Sequence, residues 1–135
     1  MANPPQAVAD FLAGQGLGLT AGTNLFYGPE RIGTGIPDNA TFCFGMPGAR
    51  PSRNADVRIE HRFSVVNVRV RNKSQQTGDS LTRAIQDALQ GADLGGVYLD
   101  VRSLQSEPGI NLEPQSGLYR FSLGFEVVHE SNVTP

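Results

Sequence analysis

Residues 118–130 read LYRFSLGFEVVHE, and their alternation decides the fold. Tyr119, Phe121, Leu123, Phe125 and Val127 share one parity, and Arg120, Ser122, Gly124 and Glu126 share the other. A period of two sustained over that length describes an antiparallel strand with one face buried. The five apolar side chains need a partner layer. Residues 80–90 supply it: Leu81, Ala84, Ile85, Ala88 and Leu89 recur at the spacing of a helix lying on a sheet. Thr77 or Asp79 is placed to cap that helix, and Gly91 or Gly95 to stop it. The expected fold is α+β: an antiparallel sheet of four to six strands flanked by two helices, in a single domain over 1–135.

Outward from this unit, Val57–Arg71 reads as a long strand with a change of phase. Val57, Ile59, His61, Phe63 and Val65 lie on one parity and Val66, Val68 and Val70 on the other, so a bulge at Val65–Val66 would turn both sets toward the core. The alternative is a strand that passes from one layer to another. Val97–Leu104 is a further strand, and QSEPGINLEPQSG forms the tip of a hairpin before the last strand. Nearer the start, Asn3 can cap a short helix opened by Pro4 and Pro5, with Ala7, Val8, Phe11 and Leu12 as its apolar stripe. Leu25–Tyr27 and Thr41–Met46 read as short strands. The glycine- and proline-rich stretches around them, GPERIGTGIPDNA and GMPGARPSRNAD, read as loops. Long ordered loops in a small domain are usually functional or interfacial, so 28–56 and the tip 105–117 are candidate contact arms.

Composition narrows the class. A chain of 135 residues buries roughly two-thirds of its unfolded surface and folds without staples. The single Cys43 cannot form an intramolecular disulfide, which fits a reducing compartment. No apolar run is long enough to span a bilayer, and the first residues lack a signal-peptide pattern, so cytoplasmic synthesis is expected.

No residue set for catalysis, metal or cofactor stands out. His61 and His129, the two histidines, have no ligand-spaced partners near them in sequence. Cys43 lies between two phenylalanines, the setting of a buried thiol rather than a reactive one. No glycine-rich stretch has the spacing of a phosphate loop followed by a helix.

Charge is more informative. Residues 50–83 hold eight bases against three acids, a net of +5, and the rest of the chain holds three bases against ten acids, a net of −7. A solvated strand face explains ordinary outward arginines. A basic face for nucleic acid is a second reading, weakened by the absence of interleaved aromatics. The third is contact with the acidic part of an identical neighbour. On that reading Arg69, Arg71 and Lys73, on one side of a strand, and Arg50 and Arg53 in the loop before it meet acids such as Glu107 and Glu113 of an adjacent subunit.

The succession of a short helix, strands, HRFSVVNVRVRNKS, SLTRAIQDALQG and YLDVRSLQSEPGINLEPQSGLYRFSLGFEVVHE resembles the tail terminator proteins of long-tailed bacteriophages, also called minor capsid proteins. The resemblance covers roughly 7–130 and is one of pattern and length. It implies a non-enzymatic virion protein that closes as a hexameric ring on the head-proximal end of the tail tube, assembled in the host bacterial cytoplasm. It also implies the tail tube protein on one side, a head–tail connector or stopper on the other, and DNA passing through the lumen without specific binding. A head-completion, stopper or tube protein of the same neck is the near alternative, and a small nucleic-acid-binding α+β module the distant one.

Overall fold

The computed structural model describes residues 3–30, 35–53, 60–96, 98–113 and 116–130, and of residues 46–53, 60–62 and 130 the backbone alone. In chain order the elements are α1 (Pro4–Ala13), β1 (Leu25–Tyr27), β2 (Ala40–Arg53), β3 (Glu60–Asn72), α2 (Gln75–Leu89), β4 (Tyr98–Ser103), β5 (Gly109–Glu113) and β6 (Leu118–Glu130). They form an α+β domain around one mixed sheet of six strands, ordered β1-β2-β3-β6-β4, with β5 also paired to β6.

The alternation of residues 118–130 does what its period requires. β6 is the centre of the sheet, with Phe121, Leu123, Phe125 and Val127 fully buried on the helix side and Tyr119 packed against them. β3 runs antiparallel to it in unbroken register from His61↔Glu130 to Asn72↔Tyr119. The expected bulge at Val65–Val66 is therefore absent from β3. Val66, Val68 and Val70 face the core, whereas Phe63 and Val65 are half-buried on the opposite face. The irregularity lies in the neighbouring strand: the β2–β3 register shifts between Met46 and Arg50.

β2 is also longer than its sequence suggests. The stretch expected to be a loop after Met46 continues as strand to Arg53. Gly48 and Pro47 fall inside the register shift, where a strand tolerates residues that cannot join the ladder. A second departure is β1, which pairs with β2 in parallel, so the sheet is not purely antiparallel. Val57–Ile59 and Val97 lie outside the described residues.

Both helices pack on one side of the sheet. In α1, the Asn3 side chain accepts from the Gln6 N–H, with Pro4 and Pro5 in the first turn. Val8 and Leu12 reach the core. α2 starts earlier than its apolar spacing indicates, because Ser74, rather than Thr77 or Asp79, is the cap: its hydroxyl accepts from the Thr77 N–H at 3.2 Å. Thr82, Ile85 and Leu89 are fully buried. Gly78 lets the helix touch the sheet, since a Cβ there would lie 2.4 Å from the ring of Phe121.

Candidate assembly surface

The sheet face away from the helices holds Arg69, Arg71 and Glu113 of the charged residues singled out by the sequence. Cross-strand register sets Arg71 beside Arg120 on β3 and β6, with Arg69 one pleat along. Three arginines so close need an anion, and Glu30 provides it. Its carboxylate lies 2.8 Å from Arg120 Nε, 3.5 Å from Arg71 Nη1 and 3.4 Å from Arg69 Nη1. Glu113 forms a second ion pair with Arg120. Burial works against the Arg120 charge, but the hydrogen bonds and charges of Glu30 and Glu113 raise its pKa on balance.

Arg71 holds the segment carrying Glu30 from two ends. Besides the Glu30 pair, its Nε donates to the Asp38 carbonyl at 2.9 Å and its Nη2 to the Pro37 carbonyl at 2.6 Å. The guanidinium also lies over the Phe42 ring, 5.3 Å from its centroid. Its side chain is 2% exposed. At the rim, Lys73 Nζ meets Asp38 at 2.8 Å, and the Asn39 side chain accepts from the Lys73 N–H. The hydrogen bond between the Lys73 amine and the Asp38 carboxylate, and their opposite charges, hold the carboxyl below and the amine above their usual values. Both side chains are exposed, so the pair adds little to stability.

Five of the seven residues expected to reach a neighbour have partners within their own chain: Arg69 and Arg71 with Glu30, Lys73 with Asp38, Glu113 with Arg120, and Glu107 with Arg83 at 2.8 Å. The structure does not bring Arg69, Arg71 or Lys73 to Glu107 or Glu113 of the same molecule. Lys73 and Glu107 keep most of their surface in water, whereas Arg71 is turned inward. Arg50 and Arg53 lie on the second half of β2, opposite Phe63 and Glu60. Glu30, which organises the face, carries no sequence signal, because an isolated acid in a glycine- and proline-rich stretch looks like any loop residue. Arg120 had one: it sits on the polar parity of the central strand.

The sheet edges are the other exposed feature. The β4 edge is closed by the end of α2, where the Gly91 N–H donates to the Val101 carbonyl at 2.9 Å and the Ser103 N–H to the Gln90 side chain at 2.7 Å. The first half of β1 is closed by Thr20–Gly22, which exchange two hydrogen bonds with Leu25. Between β4 and β5 the Gln105 carboxamide stands in for a strand residue. Its oxygen accepts from the Gly124 N–H at 3.3 Å, and its nitrogen donates to the Ser122 carbonyl at 3.0 Å. No described element lies beyond β5.

His129 is buried, 2.9 Å from Ser64 Oγ and beside the Tyr98 ring. The side chain of His61 lies outside the described residues. Cys43 is fully buried, and burial pushes its thiol up to about 12. Among the described residues no three His, Cys, Asp or Glu side chains group as metal ligands, and no helix is long and apolar enough to cross a membrane.

No protein-family model matches the sequence. No curated protein matches it either. The fold does match solved structures: a chain of the virion of a native gene transfer agent particle is similar over 94% of this chain and 94% of its own length, with a TM-score of 0.65 and 20% sequence identity.

Proposed function

We propose that this chain is a structural virion protein of a phage-like particle, and within it a tail terminator. Copies close into a hexameric ring at the head-proximal end of the tail tube, end tube polymerisation and offer a surface to the head–tail connector or stopper. The observation that carries the reading is the likeness, nearly end to end, to a chain of the gene transfer agent virion. The organisation of the surface supports it. Its polar clusters are locked into ion pairs. Such a face suits packing against protein rather than turnover of a substrate.

In this reading the ring assembles in the host bacterial cytoplasm and DNA passes through its lumen without specific contacts. The segments 28–56 and 105–117 reach neighbouring proteins. A closed ring needs a heterologous interface, in which one patch meets a different patch on the next copy. Arg50, Arg53, Arg69, Lys73, Glu107 and Glu113 belong to the polar rim of that interface. Arg71 supports it from inside by holding both ends of the Glu30 segment.

Analytical ultracentrifugation of the purified chain, followed by negative-stain imaging, tests the proposal. Six-fold rings are expected, alone or on addition of tail tubes. A chain that stays monomeric and neither caps nor shortens tubes polymerised in its presence would falsify it.

A further inference from the structure

Five large apolar side chains are about half exposed among the described residues: Tyr27, Leu99, Leu104, Ile110 and Leu112. All five lie at the two edges of the sheet. Tyr27 is on β1, Leu99 and Leu104 are on β4 and just after it, and Ile110 and Leu112 are on β5. Neither helix carries one.

Backbone direction at these edges follows from the bonds already described. The Ser122 and Gly124 carbonyls point toward the β4–β5 side, so the even residues of β6 bond in that direction. Their partners Gly109, Asn111 and Glu113 point back to β6, and the N–H and C=O groups of Ile110 and Leu112 point away from the sheet. On the opposite edge, the Asn24 carbonyl and the Gly28 N–H face β2 while both Leu25 groups face outward. Alternation then turns the Tyr27 groups outward, beyond the cover that Thr20–Gly22 give Leu25. Among the described residues, the outward backbone groups of Ile110 and Leu112 on one edge and of Tyr27 on the other have no partner in their own chain.

Proteins close or charge their sheet edges to avoid pairing with other chains. Here β4 and the start of β1 are closed, while β5 has neither a charged side chain pointing outward with Ile110 and Leu112 nor a proline within it. We infer that the β5 edge of one copy docks on the β1 edge of a second copy, with Ile110 and Leu112 packing against Tyr27. The two patches differ and sit at opposite ends of the strand order, so the contact is head-to-tail and repeats from copy to copy. It gives the proposed ring an apolar centre and leaves the charges to the rim. The occupant is a second copy because each molecule carries both halves of the contact. The inference rests on the reading of this chain as a self-assembling virion protein.

Cross-linking with a short bis-maleimide tests it in the assembled protein, with buried Cys43 left in place. Tyr27→Cys combined with Ile110→Cys, and Tyr27→Cys combined with Leu112→Cys, should give a ladder of linked subunits, while each single variant gives none. Leu112→Pro removes an outward N–H without touching the β6 ladder, and Leu112→Lys adds a charge. Both should shift sedimentation to the monomer with the melting curve retained. Rings that form but give no ladder would overturn the edge contact and leave the ring standing. A ladder on open filaments would support the edge contact and reject the ring. Linked dimers from Leu112→Cys alone would show a two-fold β5 pairing and overturn the head-to-tail contact.

Discussion

Glu30 and Arg120 stand 90 positions apart in the chain, yet their side chains meet at 2.8 Å on the face of the sheet opposite the helices. The same carboxylate serves Arg71 and Arg69, so one anion offsets part of the repulsion within a cluster of three arginines. The arrangement ties a loop near the start of the chain to the central strand at its end.

Glu30→Gln should therefore be costly. Arg71 and Arg120 are 2% and 12% exposed, and removing the partner of a buried charge costs about 3 kcal/mol or more. The urea midpoint of the variant should fall accordingly. Asp38→Asn, which breaks only the exposed pair with Lys73, should leave it nearly unchanged. Equal midpoints for the two variants would show that Glu30 is not the keystone of the face.

Ile85 is fully buried between α2 and the sheet. Ile85→Ala should cost about 2–5 kcal/mol, since the core closes only partly over the missing carbons. A melting curve that does not move would mean this helix face is not part of the core.

Gly78→Ala reverses the usual expectation for a helix. Alanine favours helix by about 1 kcal/mol over glycine. The added Cβ, however, would sit 2.4 Å from Phe121 Cε2 and 3.0 Å from Asn72 Cβ. Overpacking of about 1–3 kcal/mol should prevail, with a net loss of stability by chemical denaturation. A more stable variant would show that α2 shifts away from β6 freely.

The Cys43 thiol should be inert to maleimide in the folded protein at neutral pH and react on unfolding. Burial raises its pKa to about 12 in the folded state, against about 8.5 for an unfolded thiol. Its favourable share of stability is complete below the unfolded value and is lost as pH rises from there toward about 12. Cys43→Ala should flatten that part of the alkaline stability curve, and an unchanged slope there would rule out the thiol as its source.

What was legible in the sequence followed periodicity. The parity of residues 119–127 placed four of its five apolar side chains fully in the core and the fifth, Tyr119, against it, and Asn3 capped α1 as its position implied. Signals from single residue types misled. Glycines and prolines after Met46 marked a break that the strand absorbs as a register shift. Polar residues 75–79 concealed the first turn of α2, because a helix needs apolar spacing only where it touches the core. The phase change in β3 was real, but a second half-buried face accounted for it rather than a bulge. The Glu30 cluster was invisible because its members are brought together by topology, not spacing.

The carboxamide of Gln105 has a consequence for how the sheet opens. By bonding to Ser122 and Gly124 it splits one edge into two short strands joined by a side chain. β4 is fastened on its far side by α2, whereas β5 has no such fastening among the described residues. The two halves need not unzip together. Amide hydrogens of residues 109–113 should exchange with solvent well before those of residues 101–103, making the β5 segment a separately fluctuating flap on a rigid frame.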